Sequence, residues 1–187
     1  MNRLILAALV VLVFGCGGSA PDKAVAAESR LSLKLEPDGK TFAKGSPVVL
    51  TATVTNTSGN AIRIPNGGAW RGGFRFGLTI EVADEKGLRY EPIPLPMAHR
   101  PITRDDFVVL VPGKELRIEF DIGEFTLRTP EWKIGQRIDL RAGDYVVRAK
   151  FANAHKGWPE GDRWELKAAP DMWLGETPWA EIAIHVR

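Results

Sequence analysis

Cysteine is almost missing from this chain: Cys16 stands alone among 187 residues, so no intrachain disulfide can form. Many small exported domains staple themselves with disulfides; a chain with a single cysteine must hold its shape by packing. An excess of charge of one sign is missing too. The 25 basic and 23 acidic residues leave a net charge of +2, which argues against a nucleic-acid ligand, because such a partner usually requires a basic stripe. Histidine is scarce, at His99, His155 and His185, with no H-x-H, H-E-x-x-H or C-x-x-C among them. Metal sites need clustered ligands, so neither a metal nor a cofactor is expected. Outside the N-terminus no stretch of twelve residues keeps a helical apolar stripe. Thirteen prolines and nineteen glycines also disfavour long helices.

Catalytic signals are equally sparse. The five serines, Ser19, Ser29, Ser32, Ser46 and Ser58, fall in the N-terminal segment, the first strands or turns, and no G-x-S-x-G elbow is present. Nucleophilic catalysis needs a positioned nucleophile with a base in reach, so the chain is read as a non-enzyme. The acidic pairs Asp84-Glu85 and Asp105-Asp106 lack the D-x-D-x-D-G pattern of a calcium loop and are expected to be solvated turn charges.

What is present begins at the N-terminus. Arg3 precedes an unbroken apolar run from Leu4 to Phe14. Eleven residues are too few for a helix that crosses a bilayer, which needs about 20, but they suit the apolar region of a signal peptide, about 7–15 long. The run ends in Val13-Phe14-Gly15-Cys16. These residues resemble the bacterial lipobox, with an aliphatic residue at −3, a small one at −1 and then the cysteine that receives diacylglycerol. Phe14 departs from it, since small residues are commoner at −2. The resemblance implies that residues 1–15 are a lipoprotein signal peptide and that Cys16 carries lipid. Gly17 in the next position, rather than Asp, is similar to an outer-membrane sorting signal of Gram-negative lipoproteins. Removal of the signal takes Arg3 with it and leaves 24 basic against 23 acidic residues. Residues 16–30 are small, polar and free of aromatics, and read as a flexible tether. The fourteen residues from Gly17 to Arg30 would span about 20 Å root-mean-square. A membrane reached through N-terminal lipid is thus one expected partner, and the expected location is the cell envelope.

From Leu31 to Arg187 the period is two. Leu31, Leu33 and Leu35 alternate with polar residues, as do Leu50, Ala52 and Val54. The same pattern holds for Phe76, Leu78, Ile80 and Val82, and for Leu116, Ile118 and Phe120. It returns in Tyr145, Val147, Ala149 and Phe151, and in Ile182, Ile184 and Val186. One face of each run is predicted to meet a core and the other water, as in antiparallel sheets. Asp38-Gly39, Ser58-Gly59-Asn60, Glu85-Lys86-Gly87, Pro112-Gly113 and Ala142-Gly143-Asp144 supply turns between them. Residues 31–187 therefore read as one all-β domain.

The segments VTNTSGNAIRI (54–64), LVPGKELRIEFDI (110–122), LRAGDYVVRAKF (140–151) and WLGETPWAEIAIHV (173–186) resemble bacterial immunoglobulin-like domains. They stand for strands B–C, the entry to strand E, strand F and the last strand. Tyr145, two residues before Val147, has the spacing of the tyrosine corner. Val147 stands where antibody domains have cysteine, and AIRI at the strand C position lacks tryptophan. The resemblance implies an immunoglobulin-like antiparallel β-sandwich of about 7–9 strands without a disulfide. Asn56-Thr57-Ser58, Pro112-Gly113 and Gly143-Asp144-Tyr145 are also similar to the pattern of small bacterial proteinase-inhibitor domains.

Tryptophan is the unusual feature. Four of six, Trp158, Trp164, Trp173 and Trp179, fall in a 27-residue segment (155–181) between strands F and G. That exceeds the usual hairpin loop, and long loops on rigid scaffolds often carry binding. Exposed indoles stack on sugars or anchor protein interfaces, whereas buried ones would seal the end of the sandwich. The sequence is compatible with both. A second candidate loop is PNGGAWRGGFRFG (65–77), with Trp70, Arg71 and Arg75 among five glycines. EPIPLPMAHRP (91–101) reads as an extended connection or sheet edge. The functional expectation is a tethered, non-enzymatic binding or scaffolding module whose ligand is an envelope protein or a glycan. The alternatives are an inhibitor-like domain and a cell-wall-binding module.

Overall fold

The computed structural model describes residues 30–67, 70–71, 74–92, 102–122, 125–127, 140–160 and 163–187. Cys16, the signal segment, nearly all of the tether and His99 lie outside them. The first eight strands are β1 (Leu31–Pro37), β2 (Thr41–Phe42), β3 (Val49–Asn56), β4 (Ile62–Pro65), β5 (Trp70–Arg71), β6 (Phe74–Arg75), β7 (Leu78–Asp84) and β8 (Arg89–Pro92). After a 3-10 turn at Arg104–Asp106 come β9 (Phe107–Leu110), β10 (Glu115–Asp121), β11 (Phe125–Leu127) and β12 (Gly143–Asn153). The last four are β13 (Gly157–Glu160), β14 (Arg163–Ala168), β15 (Gly175–Glu176) and β16 (Ala180–Val186).

Two sheets make the body. One has the order β1-β3-β10, and the other runs β11-β8-β7-β12-β16-β2, with β15 pairing the far end of β12. Within these two sheets the described strands all pair antiparallel except β2 with β16. With β1 and β3 as strands A and B, β10 as E, and β7, β12 and β16 as C, F and G, this is the strand order of an immunoglobulin-type sandwich. The fold is all-β, as the period-two runs require.

The predicted phases hold. Leu31, Leu35, Leu50, Ala52, Val54, Ile118 and Phe120 of one sheet are buried against Leu78, Ile80, Val82, Tyr145, Val147, Ala149, Phe151, Ile184 and Val186 of the other, in a single core cluster. Leu33, Leu116 and Ile182 sit partly buried at its margin. Val147, at the position where antibody domains carry cysteine, is completely buried, so packing replaces the disulfide. The central strand β3 is covered on both faces. Thr51 and Thr53 on its outward side are buried, flanked by Glu36 and Glu119 and by Lys34 and Arg117. The long stems of such side chains can shield a threonine while their charges stay wet.

The corner before β12 takes the expected form. The Tyr145 hydroxyl donates to the Arg141 carbonyl at 2.8 Å. Asp84 closes the β7–β8 turn by accepting the N–H groups of Lys86 and Leu88 at 2.9 and 2.8 Å. Asn56, with no exposed surface, donates through Nδ2 to the carbonyls of Asn60 and Leu110 and accepts from Ser58. That network ties the end of β3 to β9 with no amide atom left unpaired.

Three expectations are corrected. The AIRI segment is not strand C: it forms β4, which pairs with β9, and β7 takes the strand C position. The β4 backbone is claimed on its other side by the segment after β14, with Arg63 N–H donating to Asp171 O at 2.7 Å and Trp173 N–H to Arg63 O at 2.9 Å. Four residues held in this way close the end of the sandwich, while the seven of β7 are long enough to run beside β12. Asp106 is not a solvated turn charge either. It is fully buried, and its Oδ2 accepts from the Thr103 N–H and hydroxyl at 2.8 and 3.2 Å. Lastly, the segment expected as a long F–G loop is largely strand. The proline-rich stretch is described only at Glu91 and Pro92, which lie in β8 between β7 and β11; its remainder lies outside the described residues.

Candidate functional site

The tryptophan segment leaves β12 at Asn153 and folds into the β13–β14 hairpin, with Gly157 opposite Ala168 and Trp158 opposite Lys167. Glycine is required at 157, where a side chain would run into the Lys167 carbonyl. The chain then turns at Ala169–Met172, where Met172 N–H donates to Ala169 O at 2.9 Å. It passes through β15 and enters β16. Trp158, Trp173 and Trp179 thereby reach different environments.

Trp173 belongs to the core. It is 6% exposed and stacks on Phe151 with ring centroids 6.0 Å apart and planes 26° apart. Its carbonyl accepts from the buried Asn153 amide at 2.7 Å. Of the two sequence readings for the segment, Trp173 takes the seal.

Trp158 is half-buried at the margin of an aromatic chain. Phe76 meets Phe107 edge-on at 5.3 Å, and Phe107 meets the Trp158 ring at 5.8 Å. The Arg63 guanidinium lies 5.6 Å from the Trp158 ring centroid. Arg63 is itself fixed by Asp171 through Nε–Oδ1 at 3.2 Å and Nη2–Oδ2 at 3.1 Å. His155 approaches the other end of the chain, 5.5 Å from Phe76. This arrangement clamps the hairpin onto the β4–β9 ribbon. It engages Trp158 with both Phe107 and Arg63, so part of the indole is already committed.

Trp179 is 43% exposed. It precedes β16 on the outward side of the larger sheet, where Lys150 Nζ lies 5.2 Å from its ring centroid. Lys150 is held in turn by Glu176 at 2.7 Å. An indole backed by a pinned cation has little freedom to collapse, and part of its surface still meets solvent. Along the same outward side run Arg148, bonded to Glu181 at 2.7 Å, and Val146, opposite Ala183 and Ala83.

Trp164 lies on β14, and its side chain is outside the described residues. Trp70, Arg71 and Arg75 lie on the β5–β6 ribbon, in which Trp70 faces Arg75 and Arg71 faces Phe74 in register; their side chains are likewise outside the described residues. The structure thus does not gather Trp158, Trp173 and Trp179 into one patch. It brings Trp158 to Arg63 and Asp171, residues that the sequence did not single out. Those two are 108 positions apart, and no local spacing announces a pair of that kind. Among the described residues no group of three or more His, Cys, Asp or Glu side chains is placed to hold a metal ion. Among them, no helix is long and apolar enough to cross a membrane.

No protein-family model matches the chain, and no curated protein matches it. Among solved structures, it is similar to the CARDB domain of a Pyrococcus furiosus protein, a crystal structure in complex with di-metal ions. The likeness covers 84% of this chain and 87% of that one, at 13% identity and a TM-score of 0.34. At that TM-score the likeness supports no inference about site or ligand. The immunoglobulin-type assignment rests on the strand order described above.

Proposed function

We propose that this protein is a lipid-tethered envelope module that binds through the outward side of its larger sheet, with Trp179 as the anchor. The observation that carries the reading is the exposed indole of Trp179, held by Lys150 and Glu176 on a rigid sheet. Rigid exposed tryptophans bring a large contact area at low entropic cost, and interface hot spots are enriched in them. Cys16 and the residues after it supply the anchor and the tether in this reading, and the domain supplies the binding surface. Catalysis is not part of it.

The test compares the wild-type protein with Trp179→Ala for retention on isolated envelope fractions, one arm holding glycan sacculi and the other outer-membrane proteins. A loss of about tenfold in the variant, roughly 1.4 kcal/mol, with unchanged thermal unfolding is expected in one arm. Equal retention of both proteins in both arms overturns the assignment of Trp179. A glycan ligand is the second reading, favoured by the same indole because its face suits the C–H surface of a sugar ring. The sacculus arm separates it from a protein ligand.

A further inference from the structure

At the end of the sandwich opposite Trp173, the β7–β8 turn and the entry to β12 enclose a cleft of about 160 Å³. β12 separates the two ends by its eleven residues, about 36 Å of strand. The lining includes the rings of Tyr90 and Tyr145, which are 6% and 3% exposed and meet edge-on at 5.7 Å. These are the only two tyrosines in the chain. Leu88, 47% exposed, adds an apolar lip.

Charges of both signs stand around this floor. Asp84, Glu85 and Lys86 come from the turn, and Arg141 and Asp144 from the strand entry. Some are committed. Asp84 Oδ1 holds the turn, and Asp144 Oδ1 lies 2.7 Å from His185 Nδ1. The side chains of Lys86, Arg141 and Glu85 enter no hydrogen bond or ion pair among the described residues. Asp84 and Arg141 line the cleft together with Tyr90, so an acidic and a basic group share its wall.

We propose that this cleft is a binding site for a small zwitterion of the amino-acid type, with its carboxylate at Arg141 and Lys86 and its ammonium at Asp84 and Glu85. Size and charge both restrict the ligand. A cavity of about 150 Å³ holds benzene, so the cleft accepts a molecule of about six to ten heavy atoms and not a large one. A simple anion would meet three carboxylates, and a simple cation would meet Arg141 and Lys86. Only a ligand carrying both charges pairs each with its opposite. The site is separate from the Trp179 surface, and either can fail without the other.

Calorimetric titration of the full chain in detergent with L-alanine, acetate and methylammonium tests the proposal. Saturable binding of L-alanine is expected, with acetate and methylammonium at least about tenfold weaker. Arg141→Gln and Glu85→Gln should each weaken L-alanine about tenfold or more. Both side chains are exposed, and the carbonyl of residue 141 still receives the Tyr145 hydroxyl, so folding should survive; a thermal melt checks this. No saturable L-alanine binding overturns the proposal. So does acetate or methylammonium binding as tightly as L-alanine, or full affinity in both folded variants.

Discussion

Trp173 and Trp179 are six residues apart and have opposite duties. Burial against Phe151 makes Trp173 a structural residue. Trp173→Ala should cost about 3–5 kcal/mol, as large aromatic deletions in cores do. Trp179 is half in water, and Trp179→Ala should change stability by no more than about 0.5 kcal/mol. Urea unfolding of the two variants measures the contrast, and a similar large loss in both would refute the assignment of Trp179 to the surface. Tyr90 gives a second residue-scale prediction. Burial first, and then the neighbouring Tyr145, raise its pKa from 10.0 to about 12. A folded pKa above the unfolded value means that the contribution to stability is complete below pH 10 and is lost as pH rises towards 12. NMR titration of Cζ-labelled tyrosine should place the Tyr90 midpoint near 12 in the folded protein. A midpoint at the ordinary value would show an open ring.

At the scale of elements, sequence phase was a reliable guide and sequence position was not. Every alternating run from Leu31 to Val186 presents the predicted face to the core, because a strand has only two faces and a one-residue slip would expose all its apolar side chains. Which strand neighbours which was less legible. AIRI has the right composition for strand C, yet the hydrogen bonds of Arg63 to Asp171 and Trp173 decide its place. The hairpin β13–β14 is not legible in the sequence, where Pro159 and the Gly161-Asp162 pair interrupt the strand pattern. On β1 the alternation places Lys34 and Glu36 side by side on the outward face, bonded at 2.7 Å. The hydrogen bond and charge of Lys34, with a smaller contribution from Arg117, hold the Glu36 carboxyl below its ordinary pKa. A depressed folded pKa stabilises above the unfolded value, and the gain is lost as pH falls through the folded midpoint. Lys34→Gln should therefore raise the Glu36 midpoint in an NMR titration. No shift would show that the pair is not formed in solution.

For the whole molecule, the proposed function divides attachment and recognition between different stretches of chain. If Cys16 carries lipid, Cys16→Ala abolishes fatty-acid labelling of cells expressing the protein and releases the domain or leaves its precursor unprocessed. Labelling that persists in the variant removes the anchor from the proposal. Two or more acyl chains anchor stably, whereas one alone binds only marginally. The domain stands without a disulfide, and its stability rests on one continuous core shared by both sheets.

The sequence alone determined the all-β class, the buried face of each strand, the turn residues and the tyrosine corner, because each depends on neighbours within a few positions. It also marked Cys16 as a lipid acceptor by resemblance, an assignment that lies outside the described residues. Only the tertiary structure decided that Trp173 is core while Trp179 is exposed, and that Arg63 meets both Trp158 and Asp171. The same is true of the cleft that sets Tyr90 beside Asp84 and Arg141. These outcomes depend on contacts between residues tens of positions apart in the chain, and local periodicity carries no record of such distances.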